Sequence, residues 1–197
     1  MKTAFVCDSA LQINKNFENN NPITVIPVEV RLDDEVFEDN VTITPDEFYK
    51  RIHNGQKPST SQPAVGKILR IYEELKQQGV ERIVAFSVSS KLSGTYSSFV
   101  QAKELVNGIE IKIIDTFQIA RMVGIAIEKI IKEFEEGSLA FENIEARYAE
   151  LSAQHNVLVT VETMEYVYAG GRLTKAQFVL SNLLNILPII TIKDGLL

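Results

Sequence analysis

Short β-branched runs alternate with longer amphipathic stretches along most of this chain. Runs rich in β-branched residues predict strands at residues 3–7, 83–88, 109–114 and 157–161, and the apolar run at residues 83–88 is typical of a buried strand. Segments with helical spacing of apolar residues separate them. Strands that alternate with helices form βαβ units, and such units build a mainly parallel sheet with right-handed crossovers. The alternation therefore predicts an α/β fold with a mainly parallel sheet flanked by helices.

The ends of the predicted elements carry recognisable signals. Thr44 suits a helix N-cap, Pro45 suits the first turn, and Glu47 completes a capping box. A single long strand is predicted over residues 23–32. Helices are predicted at residues 44–55, 63–79, 94–106, 117–134 and 141–155.

The pattern changes after residue 161, where helical stretches flank two glycines and a hairpin arm starts near residue 188. We therefore predict an N-terminal α/β domain at residues 1–155 and the start of a second α/β domain at residues 156–197. The chain ends just after a turn signal at Lys193-Asp194-Gly195, so this second domain is expected to be incomplete.

Composition excludes several classes of protein. The 20 basic and 26 acidic residues give a net charge of −6, which argues against a nucleic-acid binder or a polybasic membrane anchor. One cysteine, Cys7, excludes a disulfide framework and a Cys-rich metal site, and its place in an apolar run predicts a buried thiol. No apolar run is long enough for a signal-peptide core or a transmembrane helix. We expect a soluble cytoplasmic protein.

Small polar residues follow the predicted strands. In an open parallel sheet, ligands bind outside the carboxyl ends of the strands. The segments that should converge there are Asp8-Ser9, Pro58–Pro63, Ser89–Thr95 and Asp115-Thr116.

Two of these segments are expected where a helix begins. Unpaired backbone N–H groups at Thr60-Ser61 and at Ser93-Gly94-Thr95 would attract an anion, and Gly94 would allow close approach to the backbone. The alternative is that these hydroxyls are ordinary N-caps. The pattern predicts an anion site without identifying the anion.

Motifs for self-sufficient catalysis are absent from the sequence. It contains no phosphate-binding GxxxxGK[ST] loop, no GxGxxG after a strand and no GxSxG elbow. His53 and His155 lie in polar helical ends, and Ser93 has no evident base. No His, Cys and Asp residues have metal-ligand spacing. The sequence favours a binder of an anionic small molecule over an enzyme.

Two glycines precede an arginine in Gly170-Gly171-Arg172. This pattern is typical of a helix stop followed by a solvated arginine. Alternatively, the planar guanidinium of Arg172 meets a phosphate or an acidic group of a partner.

Taken together, these segments resemble the DegV family along the whole chain. The matching motifs, in order, are Val6–Ser9, Ser59–Pro63, Ser90–Tyr96, Gly170–Leu173 and Leu187–Gly195. The resemblance implies two α/β domains with a long-chain fatty acid held between them. It also implies that bacterial members present the fatty-acid carboxylate to a separate ATP-dependent fatty acid kinase, which makes acyl phosphate for phospholipid synthesis.

The family motifs assign roles to particular residues, with no metal and no cofactor besides the bound fatty acid. The carboxylate site would be formed by Thr60, Ser61, Ser93, Gly94 and Thr95. Supporting positions would be Ser9, Asp115 and Thr116, and Arg172 is a possible contact for phosphate or a partner. The apolar segment Phe178–Leu184 is a candidate tunnel wall, although ordinary core is the favoured interpretation.

Family members continue past the Lys193-Asp194-Gly195 turn. We therefore expect exposed apolar surface on residues 156–197, covered by a partner or by a second copy of the chain. Two alternatives to lipid binding stay open. The chain could be an enzyme acting on a small anionic metabolite, or a shortened regulatory remnant that no longer binds lipid.

Overall fold

The structure is a computed structural model that describes residues 1–183 and 188–197, with side chains for residues 1–179 and 188–197. The strands are β1 (Thr3–Asp8), β2 (Ile23–Ile26), β3 (Glu29–Leu32), β4 (Glu35–Glu38), β5 (Pro58–Ser61), β6 (Arg82–Ser87), β7 (Glu110–Asp115), β8 (Leu158–Val159) and β9 (Ile190–Thr191). The helices are α1 (Lys15–Asn20), α2 (Pro45–His53), α3 (Val65–Gln77), α4 (Thr95–Leu105), α5 (Arg121–Glu135), α6 (Ile144–Ser152), α7 (Glu165–Ala169) and α8 (Lys175–Leu183). Leu187 of the last motif and most of the candidate tunnel wall lie outside the described side chains.

A parallel sheet forms the centre of the protein, as the alternation of strands and helices predicted. Its strand order is β2-β1-β6-β7, and every neighbouring pair is parallel. Phe5 pairs with Val84 and Cys7 with Phe86, so β1 and β6 run in register to the same edge. The carboxyl ends of β1, β6 and β7 therefore lie side by side.

Helices cover both faces of this sheet because successive strand residues point to opposite sides. Phe5, Cys7, Val84 and Phe86 pack against α5 and α6 on one face. On the other face, side chains of α3 and α4 form a second hydrophobic cluster with Ala4, Val6, Ile83 and Ala85. Cys7 is fully buried, and burial raises the pKa of its thiol well above the ordinary value, as expected for an inert core residue.

The predicted strand at residues 23–32 is wrong as one element, because it divides at Pro27. Proline has no N–H to donate to a ladder, and the chain turns away after Ile26. β2 extends the parallel sheet, whereas β3 pairs antiparallel with β4 and β5 in a separate small sheet.

The helix boundaries follow the capping signals to different degrees. α2 begins at Pro45 as predicted, and the Glu47 N–H donates to Thr44 Oγ1 at 3.3 Å. The helix predicted from residue 117 starts only at Arg121, because Phe117 and Ala120 adopt positive φ angles of 49° and 74°.

The change of pattern predicted after residue 161 falls close to β8, at Leu158–Val159. β8 pairs antiparallel with β9 in a sheet of its own. The boundary between residues 155 and 156 stays a prediction. Among the described residues, no helix is both long and apolar enough to cross a bilayer.

Candidate functional site

Three of the predicted polar segments meet at the carboxyl edge of the parallel sheet. The Val88 N–H donates to Asp8 Oδ2 at 2.7 Å, which joins the end of β1 to the loop after β6. The Ser90 N–H donates to Asp115 Oδ1 at 3.1 Å, which joins that loop to the end of β7. The sheet topology thus brings these segments together, and the loop between β6 and α4, at residues 88–94, lies between the other two.

Asp8 is a fully buried carboxyl group at this edge. Its Oδ1 accepts from the Ala10 N–H at 3.1 Å, and its Oδ2 accepts from Val88. Burial raises the pKa of Asp8 to about 7, against the opposing effect of the backbone N–H donors. Sequence reasoning chose Ser9 rather than Asp8, although an acidic residue directly after a buried strand was the available signal.

The predicted supporting residues hold the loops in place. Ser9 Oγ accepts from the Val28 N–H at 3.1 Å. Asp115 Oδ1 also accepts from the Phe117 N–H at 3.0 Å, so one oxygen fixes two turns. Thr116 is buried and its hydroxyl donates to the Gln118 carbonyl at 3.1 Å. These hydrogen bonds fix the positions of the loops that form the candidate site.

The Ser93-Gly94-Thr95 segment lies where a helix begins, as the sequence predicted. α4 starts at Thr95, and Gly94 at the N-cap supplies no side chain to satisfy the first N–H groups. Ser93 Oγ lies 2.9 Å from Thr95 Oγ1 and accepts from the Thr95 N–H at 3.3 Å. Two hydroxyls therefore stand together at the positive end of a helix dipole.

Thr60 and Ser61 are not at a helix start, and that prediction is wrong. They lie in β5, where Thr60 pairs with Val30 and Ser61 with Glu29. The residue before a proline is driven out of the helical conformation, so the backbone stays extended up to Pro63 and α3 begins only at Val65.

Gln62 connects the two hydroxyl-bearing segments. A Cβ atom placed on Gly94 would lie 3.1–3.2 Å from the terminal amide atoms of Gln62, so this side chain packs directly on Gly94. Thr60 and Ser61 thus precede a residue that touches the start of α4. Sequence reasoning missed Gln62 as a site residue, although it belongs to the Thr-Ser-Gln-Pro motif.

Arg172 lies against the same loop from the C-terminal side. Its Nε donates to the Leu92 carbonyl at 2.9 Å, and its Nη1 donates to the Gly170 carbonyl. α7 ends at Ala169 with Gly170 as its C-cap, and Gly171 follows with a φ of +78°, which confirms the predicted helix stop.

The groups that the described residues bring to this edge are hydroxyls and a helix N-terminus. Within residues 1–183 and 188–197, no three His, Cys, Asp or Glu side chains are grouped to hold a metal ion. His155 Nδ1 lies 2.6 Å from the Leu151 carbonyl, and His53 is exposed in the last turn of α2. Such a set of groups can bind an anionic oxygen and orient it.

These features define the chain as an α/β protein with a candidate anion-binding site at the carboxyl edge of its parallel sheet. A sequence model described as an uncharacterised protein of the DegV family matches residues 2–197. The chain belongs to the DegV family.

Curated relatives agree with this assignment. A DegV domain-containing protein of Caldanaerobacter subterraneus is 30% identical over 194 residues, which cover 98% of this chain and 69% of the relative. A DegV domain-containing protein of Staphylococcus aureus is 33% identical, with 98% of this chain and 68% of the relative covered.

Solved structures have the same fold. A stearic-acid-binding protein from Eubacterium ventriosum superimposes with a TM-score of 0.89 at 30% identity, over 100% of this chain and 68% of that one. A fatty-acid-binding DegV family protein from Thermus thermophilus gives 0.86 at 29% identity, over 99% and 69%. DegV from Bacillus subtilis, a fatty acid binding protein, gives 0.89 at 26% identity, over 100% and 70%.

Proposed function

We propose that this chain binds a long-chain fatty acid and holds its carboxylate at the start of α4. The observation that carries this proposal is the contact between Gln62 and Gly94, which joins the hydroxyl-bearing segments at a helix N-terminus. Relatives of the same fold are fatty-acid-binding proteins. A carboxylate is the anion that this combination of groups and fold favours.

The groups of the candidate site have complementary roles in this proposal. The Ser93 hydroxyl donates to a carboxylate oxygen while the buried Thr95 hydroxyl donates to Ser93 Oγ, and the bare backbone at Gly94 lets an oxygen come close. Thr60 and Ser61 approach from β5. The helix N-terminus favours the negative charge.

The magnitudes separate affinity from orientation. Burial of about 14 methylenes at roughly 0.8 kcal/mol each offers about 11 kcal/mol before entropic costs. Each hydrogen bond to the charged carboxylate adds roughly 1.5–3 kcal/mol. The tail therefore supplies most of the affinity, and the hydroxyls fix the direction in which the ligand lies.

We further propose that the bound carboxylate is presented to a separate ATP-dependent fatty acid kinase in the cytoplasm. The sequence contains no phosphate-binding loop, so a partner would have to supply the nucleotide. Arg172, beside the Leu92 carbonyl, is the candidate contact for the transferred phosphate or for an acidic group of the partner. The test is production of acyl phosphate only when this chain, fatty acid, ATP and a bacterial fatty acid kinase are combined.

One observation favours the alternative of an enzyme acting on a small anionic metabolite. Asp8 is a buried carboxyl with a raised pKa at the sheet edge, which is a common property of acid–base catalysts. Both of its oxygens, however, accept backbone N–H groups from Ala10 and Val88. Asp8 is therefore committed to holding the loops, and we retain the binding function.

A matched pair of serine variants tests the carboxylate site. Ser93→Ala removes a hydroxyl at the site and should weaken fatty-acid binding by roughly 1–3 kcal/mol, measured by calorimetry. Ser97→Ala is the control, because Ser97 is exposed on the same helix and its hydroxyl accepts from the side chain of Gln101. Unchanged affinity in Ser93→Ala would move the carboxylate site elsewhere.

A further inference from the structure

The C-terminal turn at residues 193–196 is docked on the loop that leads into the candidate carboxylate site. Ser89 Oγ donates to the Gly195 carbonyl at 2.7 Å in a buried contact. Lys91 Nζ donates to the Asp194 carbonyl at 2.8 Å. These bonds join positions more than 100 residues apart in the chain.

The backbone of Ser89 makes the hydrogen bonds that fix the rest of this loop. Its carbonyl accepts the N–H groups of Leu92 at 3.0 Å and Ser93 at 3.1 Å. Its own N–H donates to the Gln118 carbonyl at 3.0 Å. A shift of Ser89 therefore moves the backbone of Ser93 directly.

The close approach of the turn to the loop requires glycine at position 195. A Cβ atom there would lie 2.8 Å from Ser89 Oγ and 2.9 Å from Phe117 Cδ1. The φ of +82° is also unfavourable for any residue with a side chain. Any larger residue must push the loop or the Phe117 ring away.

We propose that the turn at residues 193–196 positions the loop at residues 89–93, and thereby orients the Ser93 hydroxyl toward a bound carboxylate. Gly195, Ser89 and Lys91 are positioning residues, since they act on the ligand through Ser93. This inference rests on the proposed function, because it concerns how the same carboxylate is held. It gives the Lys193-Asp194-Gly195 motif a role in ligand orientation.

The test separates orientation of the carboxylate from general stability. Dissociation constants are measured for stearic acid and for octadecan-1-ol, which has a tail of the same length but no carboxylate, together with the thermal midpoint. Gly195→Ala should reduce the preference for the acid over the alcohol about tenfold, the effect of one misplaced charged hydrogen bond. Binding of the alcohol should change less than about twofold, because the tail is unaffected.

Gly79→Ala is the matched control. Gly79 has nearly the same φ, +80°, but nothing lies within 4 Å of an added Cβ atom. It imposes the same backbone strain without touching the loop, so it should lower the thermal midpoint and leave the acid preference unchanged.

Lys91→Met provides a second measurement if Gly195→Ala does not fold. Lys91 is exposed, and methionine keeps its apolar stem while removing the bond to Asp194. The acid preference should fall about threefold. A preference equal to that of the wild type in the folded variants overturns the positioning role alone. A wild type that binds neither ligand overturns the proposed function, and this inference with it.

Discussion

Asp8 should make the stability of the fold depend on pH in a direction opposite to that of most carboxylates. Burial raises its pKa from 3.8 to about 7, so the folded state holds a proton that the unfolded state has lost. The stabilisation is complete below pH 3.8 and is lost as the pH rises through 7. This rise of the pKa from 3.8 to about 7 corresponds to roughly 4 kcal/mol over that window.

Other carboxylates act in the opposite direction and must be separated from this effect. Arg147 lowers the pKa of Glu133 through a side-chain hydrogen bond. Despite opposing desolvation, hydrogen bonds from Arg121 and Asn14 give Glu128 a net lowered pKa. Their stabilisation is present above the ordinary carboxyl pKa and is lost as the pH falls. The free energy of unfolding should therefore be greatest in mildly acidic solution.

The substitution Asp8→Asn isolates the contribution of the buried charge. Its amide keeps the shape of the carboxyl but does not ionise, and it can offer an oxygen to only one of the N–H groups of Ala10 and Val88. The unsatisfied N–H costs about 1–3 kcal/mol at every pH. The pH-dependent part of the difference between the two proteins then reports the ionisation of Asp8.

Urea unfolding at a series of pH values from 4 to 8 measures this difference. The free energy of unfolding of Asp8→Asn should fall furthest below that of the wild type at pH 4. The difference should shrink, or change sign, by pH 8. Asp34→Asn, at an exposed position, is the control. A deficit that is constant across the series would refute the reasoning, because it would mean that the backbone donors outweigh burial and keep Asp8 ionised.

Three further predictions concern packing and assembly. Gly94→Ala should push the Gln62 amide away and raise the dissociation constant for a fatty acid about tenfold, as measured by calorimetry. Gly124→Ala should lower the free energy of unfolding by roughly 1–3 kcal/mol in urea titrations, because its Cβ atom would lie 2.5 Å from the Leu11 carbonyl oxygen. Exposed apolar side chains on residues 156–197, among them Leu158 and Ile189, should give a dimer or larger species in light scattering after size-exclusion chromatography.

The control for both glycine variants is Gly66→Ala in α3, where nothing lies within 4 Å of the added atom. It should keep fatty-acid affinity and stabilise the helix slightly. If Gly94→Ala binds a fatty acid as tightly as the wild type, Gln62 has no role in the carboxylate site. If Gly124→Ala is as stable as the wild type, α5 moves freely against Leu11. A well-behaved monomer would contradict the expected assembly.

The parallel sheet could be predicted because its central strands, β1 and β6, are buried on both faces and have mainly apolar sequences. The small antiparallel sheet could not, because β5 has the sequence Pro-Ser-Thr-Ser and no apolar alternation. It becomes a strand by pairing with β3, about 30 residues away. The positive φ angles of Phe117 and Ala120, which delay the start of α5, leave no signal in non-glycine residues.

The candidate site, too, could be predicted from the sequence only in part. Topology alone brings the ends of β1, β6 and β7 together, so Asp8, Ser89 and Asp115 could be placed at one edge from the sequence. Which groups stay available for a ligand depends on hydrogen bonds between distant loops. Asp115, for example, is committed to the N–H groups of Ser90 and Phe117. The contact of Gln62 with Gly94 likewise follows from the small sheet that the sequence did not reveal.

Mass spectrometry of the denatured protein, purified from bacteria and then offered stearic acid, tests the central claim most directly. A single fatty acid should be recovered with each chain, either carried through purification or bound when supplied. Weaker retention of supplied stearic acid by Ser93→Ala than by Ser97→Ala would place the carboxylate at the start of α4. A wild-type chain that carries no acyl group and binds none when supplied would contradict lipid binding and favour a chain with a regulatory role.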